Sequence, residues 1–551
     1  MKLNIKKMTK HLKKQLLVGF LVTAVVISFS FKSSFFEIAK QIEIYTTLFK
    51  ELNINYVNEI SPSELTNKAI KNTLKNLDPY TNFYTEQDVE NARIRREGEY
   101  GGIGVIAYYT KEGIILSKIN KDDPADKAGL KVGDIITKID GFSLKNLKRD
   151  EQSSQLKGMP STKKSLEIDR RGTILKINLQ LGKIIINPVP FYGMIDEETG
   201  YIVLTRFNTK ASKEVKKAFK TLKKKGMVKL VFDLRYNPGG SLYESINIVN
   251  FFIPKGSKIV STKGKIKKNS RTYKGTREPL DIKIPMIVLV NGRSASASEI
   301  VSGALQDYDR AVIMGERSFG KGLVQRYFKL TYGTQLKVTI SKYYTPSGRC
   351  IQELDYANRN SKTGKVPKFS DRTVNSFKTK NGRIVYDGGG VMPDVKINFS
   401  KKTEVTKKLI RSRSLFNFST NFVANHPSIN KEKFSFTDAH FNQFTTYLLR
   451  KDTLFVTKPE KLFKKAYAST EKKEMLSKEY QKILELLKNG KIKEIIKNKD
   501  IISKLLEDKI VEQVFYEQGK YQHQIKKDKT IKEAVFLLKN QKKYYEILSL
   551  K

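Results

Sequence analysis

Hydrophobic and polar positions alternate with different periods along the chain, and the changes of period divide it into segments. Over 36–95, apolar residues recur at helical spacing, which predicts a small helical region. Over 100–182, short alternating runs bounded by Gly, Asp and Pro predict a β-rich segment. From 190 to 350, continuous apolar runs alternate with amphipathic helical patterns, which predicts an α/β core around a mainly parallel sheet. Residues 401–551 return to helical spacing and are rich in Lys and Glu, so we expect helices there.

The amino terminus has the pattern of an export signal. Residues 1–14 are strongly basic, and the apolar run Gln15 to Phe31 carries no charge before Lys32. A basic region followed by such a run is typical of a signal segment, and the positive-inside rule leaves its basic end in the cytoplasm. A cleaved signal peptide and an uncleaved membrane anchor both fit, because no A-x-A cleavage site follows the run. We therefore expect the rest of the chain on the periplasmic side of the inner membrane.

The charge and the cysteine count limit the possible partners. The net charge is +48, from 104 Lys and Arg against 56 Asp and Glu, and this raises the alternative of a nucleic-acid-binding protein. The lysines are spread over every segment and the chain has no arginine-rich arm, so we expect no nucleic-acid partner. A basic surface would also be attracted to an anionic membrane. The single cysteine, Cys350, excludes an internal disulfide and a thiolate metal cluster.

The stretch GERSFGKG, Gly315 to Gly322, matches most of a phosphate-binding loop. Gly322 stands where that loop has Ser or Thr. The residues after Lys321 alternate like a hairpin turned at Tyr332-Gly333, whereas a phosphate loop must open a helix. The pattern therefore argues against nucleotide binding and leaves Lys321 with another role.

A second candidate site lies in VLVNGRSASASEIVSGALQD, Val288 to Asp307, where a buried strand is followed by a small-residue turn and a helix. Ser294, Ser296 and Ser298 lie at this turn, where a serine can be exposed beside backbone amides; close packing and helix capping are the alternative. A nucleophilic serine needs a base, and the chain has only four histidines, none in the α/β core. A buried lysine with a lowered pKa can replace histidine, and Lys321 between two glycines suits that role.

These motifs together resemble the carboxy-terminal processing peptidases, also called tail-specific proteases. The resemblance rests on the SASASE turn, GERSFGKGLVQ, YYTPSGR and GGGVMPDV, in the family's order, and YGGIGV through KVGDIITKIDG resembles the family's embedded PDZ domain. It implies a ClpP/crotonase-like core with a mainly parallel sheet, an inserted PDZ domain, and helical regions at both ends. The predicted division is a signal or anchor over 1–34, a helical region over 35–97, the PDZ domain over 98–184, the protease core over 185–400 and a helical extension over 401–551.

The resemblance also assigns catalytic roles. It makes Ser296 the nucleophile, Lys321 the general base, and Gln325 the residue that orients the lysine. It implies no metal and no other cofactor. Asp307 matches an acidic position at the helix end, where a supporting role and a purely structural one both remain open.

The oxyanion hole is assigned in the same way. By resemblance, one donor is the amide of Ala297, and the other is a glycine of DLRYNPGG, either Gly239 or Gly240.

The PDZ-like segment implies a protein or peptide substrate. PDZ domains bind a peptide as an added strand, and amides of a Gly-rich loop hold its carboxylate. By resemblance that loop and its apolar pocket comprise Gly101, Gly102, Ile103, Gly104, Val105 and Ile106. In this family the PDZ domain captures C-terminal tails and can gate the active site.

The sequence also allows two other functional classes. The first is a catalytically inactive PDZ scaffold, and the second is the basic nucleic-acid-binding protein. No motif identifies the substrate, an adaptor or a homo-oligomeric state. No motif assigns a role to 401–551 either.

Overall fold

The computed structural model describes residues 35–361, 363–369, 374–397, 402–430, 433–450, 455–471 and 473–549. The chain forms two units, Met1–Phe83 and Tyr84–Lys551. The apolar run Gln15 to Phe31 lies outside the described residues. Within the described ranges, none of the helices combines the length and the apolarity that a membrane crossing requires.

The first unit is helical where it is described. Helix α1 covers 35–55, and helix α2 is Pro62–Lys75. The start of helix α2 is capped by Ser61, whose hydroxyl accepts the amide of Glu64 at 3.4 Å, and Pro62 follows as the first helical residue. A short strand, β1 (Asn82–Tyr84), lies at the boundary of the two units.

The second unit begins with the β-rich region. Its elements are α3 (Glu86–Glu97), β2 (Glu99–Gly102), β3 (Val105–Tyr109), β4 (Ile114–Ile119), α4 (Pro124–Lys127), β5 (Ile135–Ile139), β6 (Phe142–Ser143), α5 (Arg149–Gln155), β7 (Lys163–Arg170), β8 (Thr173–Gln180) and β9 (Gly182–Ile185). One antiparallel sheet has the order β3-β4-β5-β7-β8, with β6 on β5, and β2 pairs separately with β9. Strand β3 is therefore an edge strand, which can accept a further strand.

The α/β core follows. Its elements are β10 (Phe191–Met194), β11 (Thr199–Val203), α6 (Ala211–Lys224), β12 (Lys229–Asp233), α7 (Leu242–Asn250), β13 (Lys258–Gly264), β14 (Arg271–Lys274), β15 (Met286–Val290), α8 (Ala297–Asp307) and β16 (Val312–Gly315). The main sheet has the order β10-β11-β12-β15-β16-β21, where β21 is Val395–Lys396. All its pairs are parallel except β10 with β11, which confirms the predicted mainly parallel sheet.

A second, antiparallel sheet in the core was not predicted as a whole. Strands β17 (Leu323–Lys329) and β18 (Gln335–Tyr344) form the predicted hairpin, and Tyr332 and Gly333 have φ angles of 50° and 66° at its turn. Strands β13 and β14 extend this sheet through β18, although the sequence analysis assigned no strands to them. The described residues of the irregular stretch 351–395 include a 3-10 turn (Tyr356–Asn358) and the short pair β19 (Ser376–Lys378) and β20 (Ile384–Tyr386), which precede β21.

The carboxy-terminal residues are helical, as expected. The helices are α9 (Glu404–Arg411), α10 (Ser414–Asn425), α11 (Asp438–Arg450), α12 (Lys458–Ala468), α13 (Ser477–Lys497), α14 (Lys499–Lys527), α15 (Lys529–Lys539) and α16 (Gln541–Ile547). Helix α14 contains a kink at Phe515 and Tyr516, where the backbone is not helical.

The two faces of the main sheet are covered by different parts of the chain. Alternate residues of β12 and β15, such as Phe232 and Val288, pack in the cluster formed with α6, α7 and α8. Their neighbours Val231 and Leu289 face the opposite side and pack against Ile531 and Leu538 of α15 and residues of α16. The carboxy-terminal extension therefore completes the core of the sheet.

Candidate active site

Three loops meet at one edge of the main sheet. They follow the neighbouring parallel strands β12, β15 and β16, and they cover 234–240, 291–296 and 316–322. Since the carboxyl ends of parallel strands share one edge, ligands commonly bind there. The serine turn, the DLRYNPGG loop and the GERSFGKG stretch are thus brought together.

The three serines of the turn have different environments. The Ser294 hydroxyl donates to the carbonyl of Leu234 at 2.8 Å, and the Ser298 hydroxyl donates to the carbonyl of Asn237 at 2.9 Å. Both side chains are fully buried, whereas Ser296 is half-buried. Ser296 also has a φ of 57°, which is unusual for a residue other than glycine and common at functional sites.

Gly239 lies against the serine turn. A Cβ at this position would lie 2.7 Å from the carbonyl oxygen of Ala295 and 2.9 Å from the Ser296 Cβ, and its φ is 97°. The amide of Gly239 donates to Oδ1 of Asn237 at 2.9 Å, while the buried Asn237 Nδ2 donates to Leu204. Only glycine fits here, because a side chain would displace the turn.

Two amides near Ser296 are available for a ligand. Ala297 is the first residue of α8, where amides have no acceptor within the helix. Across the ranges that the structure covers, the amide of Gly240 donates to no protein group, since the bridge of its loop to Phe207 uses Gly239 and Ser241.

Lys321 is half-buried at the end of the third loop. The ring of Phe319, two residues before Lys321, is 44% exposed, so it gives the lysine little shielding from water. Gln325 lies on β17, and its Nε2 is 3.3 Å from the hydroxyl of Thr339 on β18.

A buried carboxylate that the sequence analysis did not single out joins the serine turn to the lysine loop. Glu299 accepts the amides of Ser296 at 2.7 Å, Gly320 at 2.6 Å and Lys321 at 2.9 Å, and the Ser318 hydroxyl at 2.6 Å. Burial raises the pKa of Glu299, although its hydrogen-bond donors act to lower it. The S-x-x-E spacing from Ser296 is that of a capping box, so the sequence did carry a signal for it.

Tyr343 makes a second connection between the same two loops. Its hydroxyl lies 2.7 Å from the carbonyl oxygen of Lys321 and 3.1 Å from that of Ser296. Tyr343 is buried on β18, and no local pattern marks it as a site residue.

Asp307 lies at the other end of α8, about 16 Å from Ser296 along the helix axis at about 1.5 Å per residue. It pairs with the fully buried Arg349 at 2.8 Å and accepts the amide of Ser347 at 2.9 Å. These contacts hold the loop after β18.

The predicted peptide-binding loop lies before the edge strand β3. The carbonyl groups of Ile103 and Gly104 accept amides from the PDZ body, and, among the described residues, the amide of Gly104 has no protein acceptor. Ile103 is buried in the PDZ core, whereas Val105 is half-buried and Ile106 is 57% exposed. Ile103 therefore supports the loop from inside. The remaining members, Gly101 and Gly102, belong to β2.

The three histidines among the described residues do not compete with Lys321 as the base, and Cys350 does not compete with Ser296 as the nucleophile. His426 and His440 pack around Phe422, and His523 contacts Glu507, all within the carboxy-terminal helices. Burial raises the pKa of the Cys350 thiol, which disfavours a thiolate nucleophile.

Three family models match successive parts of the chain. The family model of peptidase family S41 matches residues 198–357, that of the PDZ domain matches 91–169, and that of the C-terminal helical domain of probable PDZ-proteases matches 405–538. A carboxy-terminal-processing protease of Bartonella bacilliformis is 35% identical over 319 residues, which are 57% of this chain and 73% of that protein. The chain belongs to the carboxy-terminal processing peptidases. It is a serine-type C-terminal processing peptidase that carries a PDZ domain and acts on protein or peptide substrates.

Other relatives of this peptidase match over similar lengths. A probable CtpA-like serine protease of Staphylococcus aureus is 34% identical over 307 residues, 55% of this chain and 61% of that protein. Among solved structures, the photosystem II D1 C-terminal processing protease is 25% identical, with a TM-score of 0.36, over 64% of this chain and 92% of that one.

Proposed function

We propose that this peptidase cleaves peptide bonds with a Ser–Lys dyad formed by Ser296 and Lys321. The observation that carries the proposal is the contrast within the serine turn. Ser294 and Ser298 are buried with their hydroxyls hydrogen-bonded to the neighbouring loop, whereas Ser296 is half-buried beside Gly239. The family relationship and the absence of a histidine from the α/β core also favour it.

In this mechanism a neutral Lys321 takes the proton of Ser296 as the serine oxygen attacks the peptide carbonyl. The amides of Ala297 and Gly240 hold the resulting oxyanion; we favour Gly240 because the amide of Gly239 is already bound to Asn237. The lysine then gives its proton to the leaving amine. In the second half of the reaction, Lys321 takes a proton from water as the water oxygen attacks the acyl-enzyme, and it returns that proton to the oxygen of Ser296, which restores the free serine and the neutral lysine. Gln325 holds the lysine in place.

Single substitutions test the dyad. Ser296→Ala should abolish cleavage of a protein with an apolar, unstructured C-terminus and remove labelling by a fluorophosphonate probe. If a folded Ser294→Ala protein loses cleavage while Ser296→Ala keeps it, the nucleophile is Ser294 and not Ser296. Lys321→Arg should be inactive because arginine does not lose its proton, and wild-type turnover in this variant would contradict the assignment.

We also propose that the edge strand β3 binds the C-terminal tail of the substrate. The amide of Gly104 would hold the carboxylate, and the peptide would pair with β3. The inactive Ser296→Ala protein should therefore bind a tail peptide with a free carboxylate, and amidation of the peptide should weaken binding. Ile106→Lys should weaken it about tenfold, whereas Ile174→Lys, equally exposed on β8 at the opposite edge, should not.

The proposed place of action is the periplasmic side of the inner membrane, with exported proteins as substrates. The proposal rests on the basic residues 1–14 and the apolar run Gln15 to Phe31. Sequencing the amino terminus of the protein recovered from membranes distinguishes an uncleaved anchor from a cleaved signal. Recovery of the intact chain in the cytosolic fraction would refute export. An adaptor or homo-oligomeric state remains a proposal that sedimentation of the purified protein tests.

A further inference from the structure

The carboxy-terminal extension reaches the edge of the sheet where the active-site loops begin. Asp528, which connects α14 to α15, is the N-cap of α15, and its Oδ1 accepts the amides of Thr530 at 2.9 Å and Ile531 at 3.2 Å. The same carboxylate faces Arg235, whose Nη1 lies 3.1 Å from Oδ1 and 3.2 Å from Oδ2. Asp528 is only 8% exposed, so this ion pair is largely shielded from water.

Arg235 is held between two carboxylates. Its Nη2 donates to Oδ2 of Asp233 at 2.7 Å, and the backbone amide of Arg235 donates to Oδ1 of the same residue at 2.9 Å. The hydroxyl of Tyr201 also donates to Asp233, at 2.7 Å. Although burial acts to raise it, Arg235 and Lys504 lower the pKa of Asp528 to about 2, so the carboxylate is charged at neutral pH.

Arg235 begins the loop that ends at Gly239 and Gly240. Further along this loop, Tyr236 donates its amide to Oδ1 of Asn291 at 3.0 Å, and Asn237 accepts the amide of Ala295 at 3.0 Å. The far half of the loop is thus held by the serine turn. The near half is held by Asp233 from within the core and by Asp528 from the extension.

We propose that Asp528 is a positioning residue for catalysis, which acts through Arg235 to hold the oxyanion loop at the distance that the serine turn requires. The inference rests on the proposed function, in which an amide of this loop binds the oxyanion. It gives the carboxy-terminal extension a role in turnover in addition to its packing against the sheet, which is made by α15 residues such as Ile531 and Leu538.

The test is Asp528→Asn in the full-length protein. Asparagine caps a helix as well as aspartate does, so α15 keeps its cap while Arg235 loses a charged partner. We expect kcat to fall about 10- to 100-fold, because small displacements of an oxyanion donor are costly, with KM within about twofold. Loss of the ion pair should also lower Tm by about a few degrees, while the protein stays folded at the assay temperature. The matched control is Lys539→Ala, which removes another ion pair of α15 with the core, to Asp196 at 3.2 Å; its kcat should stay within about twofold.

A double-variant cycle shows whether Asp528 acts through Arg235. If it does, Arg235→Gln and the double variant with Asp528→Asn should have similar kcat values. Unchanged kcat in Asp528→Asn overturns the proposal, as does a rise in KM alone, or a fall in kcat that follows a lower Tm and disappears on cooling. The Ser296→Ala protein separates the two proposals: if it still cleaves, the proposed function fails, whereas normal Asp528→Asn turnover with an inactive Ser296→Ala protein refutes the positioning role alone.

Discussion

Glu299 accepts the backbone amide of Lys321 at 2.9 Å, although 22 residues separate them in the chain. The same carboxylate accepts the amide of Ser296 at 2.7 Å. One buried side chain therefore fixes the backbone of both proposed dyad residues, so their relative position depends on its charge and length.

Glu299→Gln should reduce kcat by about 100-fold or more. The NH2 group of glutamine can only donate hydrogen bonds, so it would face backbone N–H donors and leave them without an acceptor. The unsatisfied groups should also lower the free energy of unfolding by about 1–3 kcal/mol. Turnover and chemical denaturation measure the two effects separately. A folded Glu299→Gln protein with wild-type kcat would show that this carboxylate does not set the geometry of the dyad.

Gly239→Ala should abolish most activity, since its Cβ would lie 2.9 Å from the amide nitrogen of Ala297 and from the Cβ of Ser296. A displacement of this size costs about 100-fold in turnover. Gly256→Ala is the matched control, because Gly256 has a φ of 83° and an added Cβ there meets no atom within 4 Å. Both substitutions place alanine at a positive φ, so both strain the backbone to a similar extent. If kcat fell equally in the two variants, the close packing of Gly239 against the serine turn would not be the cause of the loss.

The ion pair of Asp528 predicts a pH dependence of stability. Its pKa is about 2 in the folded protein and about 4 in an unfolded chain, so folding releases a proton between these values. The stabilisation is present above about pH 4 and is lost as the pH falls toward 2, and its size is on the order of 2 kcal/mol. Urea unfolding of the wild type and of Asp528→Asn at several pH values measures it: the difference between them should shrink as the solution is acidified, and a constant difference would contradict the assignment.

Leu538→Ala should lower the free energy of unfolding by about 2–5 kcal/mol, the usual cost of a cavity in a core. Leu538 is 1% exposed on the face of α15 that packs against the main sheet. Phe536 lies on the same helix but is 64% exposed, so Phe536→Ala should change stability by about 0.5 kcal/mol or less. Equal effects of the two substitutions would mean that α15 does not cover the sheet in solution.

Local patterns predicted most of the fold, because continuous apolar runs, capped helices and the Tyr332-Gly333 turn are properties of short segments. The serine turn and the lysine loop could also be selected, since each is a compact motif. Glu299 could have been found from its spacing to Ser296.

The contacts of Tyr343 and Asp528 could not be predicted in this way. Asp528 and Arg235 form an ion pair although 293 residues separate them in the chain, and the local sequence around either residue does not predict this pair. Strands β13 and β14 were missed for a similar reason, since the antiparallel sheet forms only when β18 lies beside them. Such relationships follow from the tertiary packing of distant segments.

The position of α15 and α16 has a consequence for the order of events during synthesis. Tyr544 of α16 exchanges hydrogen bonds with the backbone of Met286 in the central strand β15, and Leu548 belongs to the same buried cluster. Because a chain is made from its amino terminus, the residues that close the second face of the catalytic sheet emerge after all the strands of that sheet. A nascent chain thus carries Ser296 and Lys321 long before it can bury the sheet that supports them, which delays a fully formed protease until α15 and α16 have also been made.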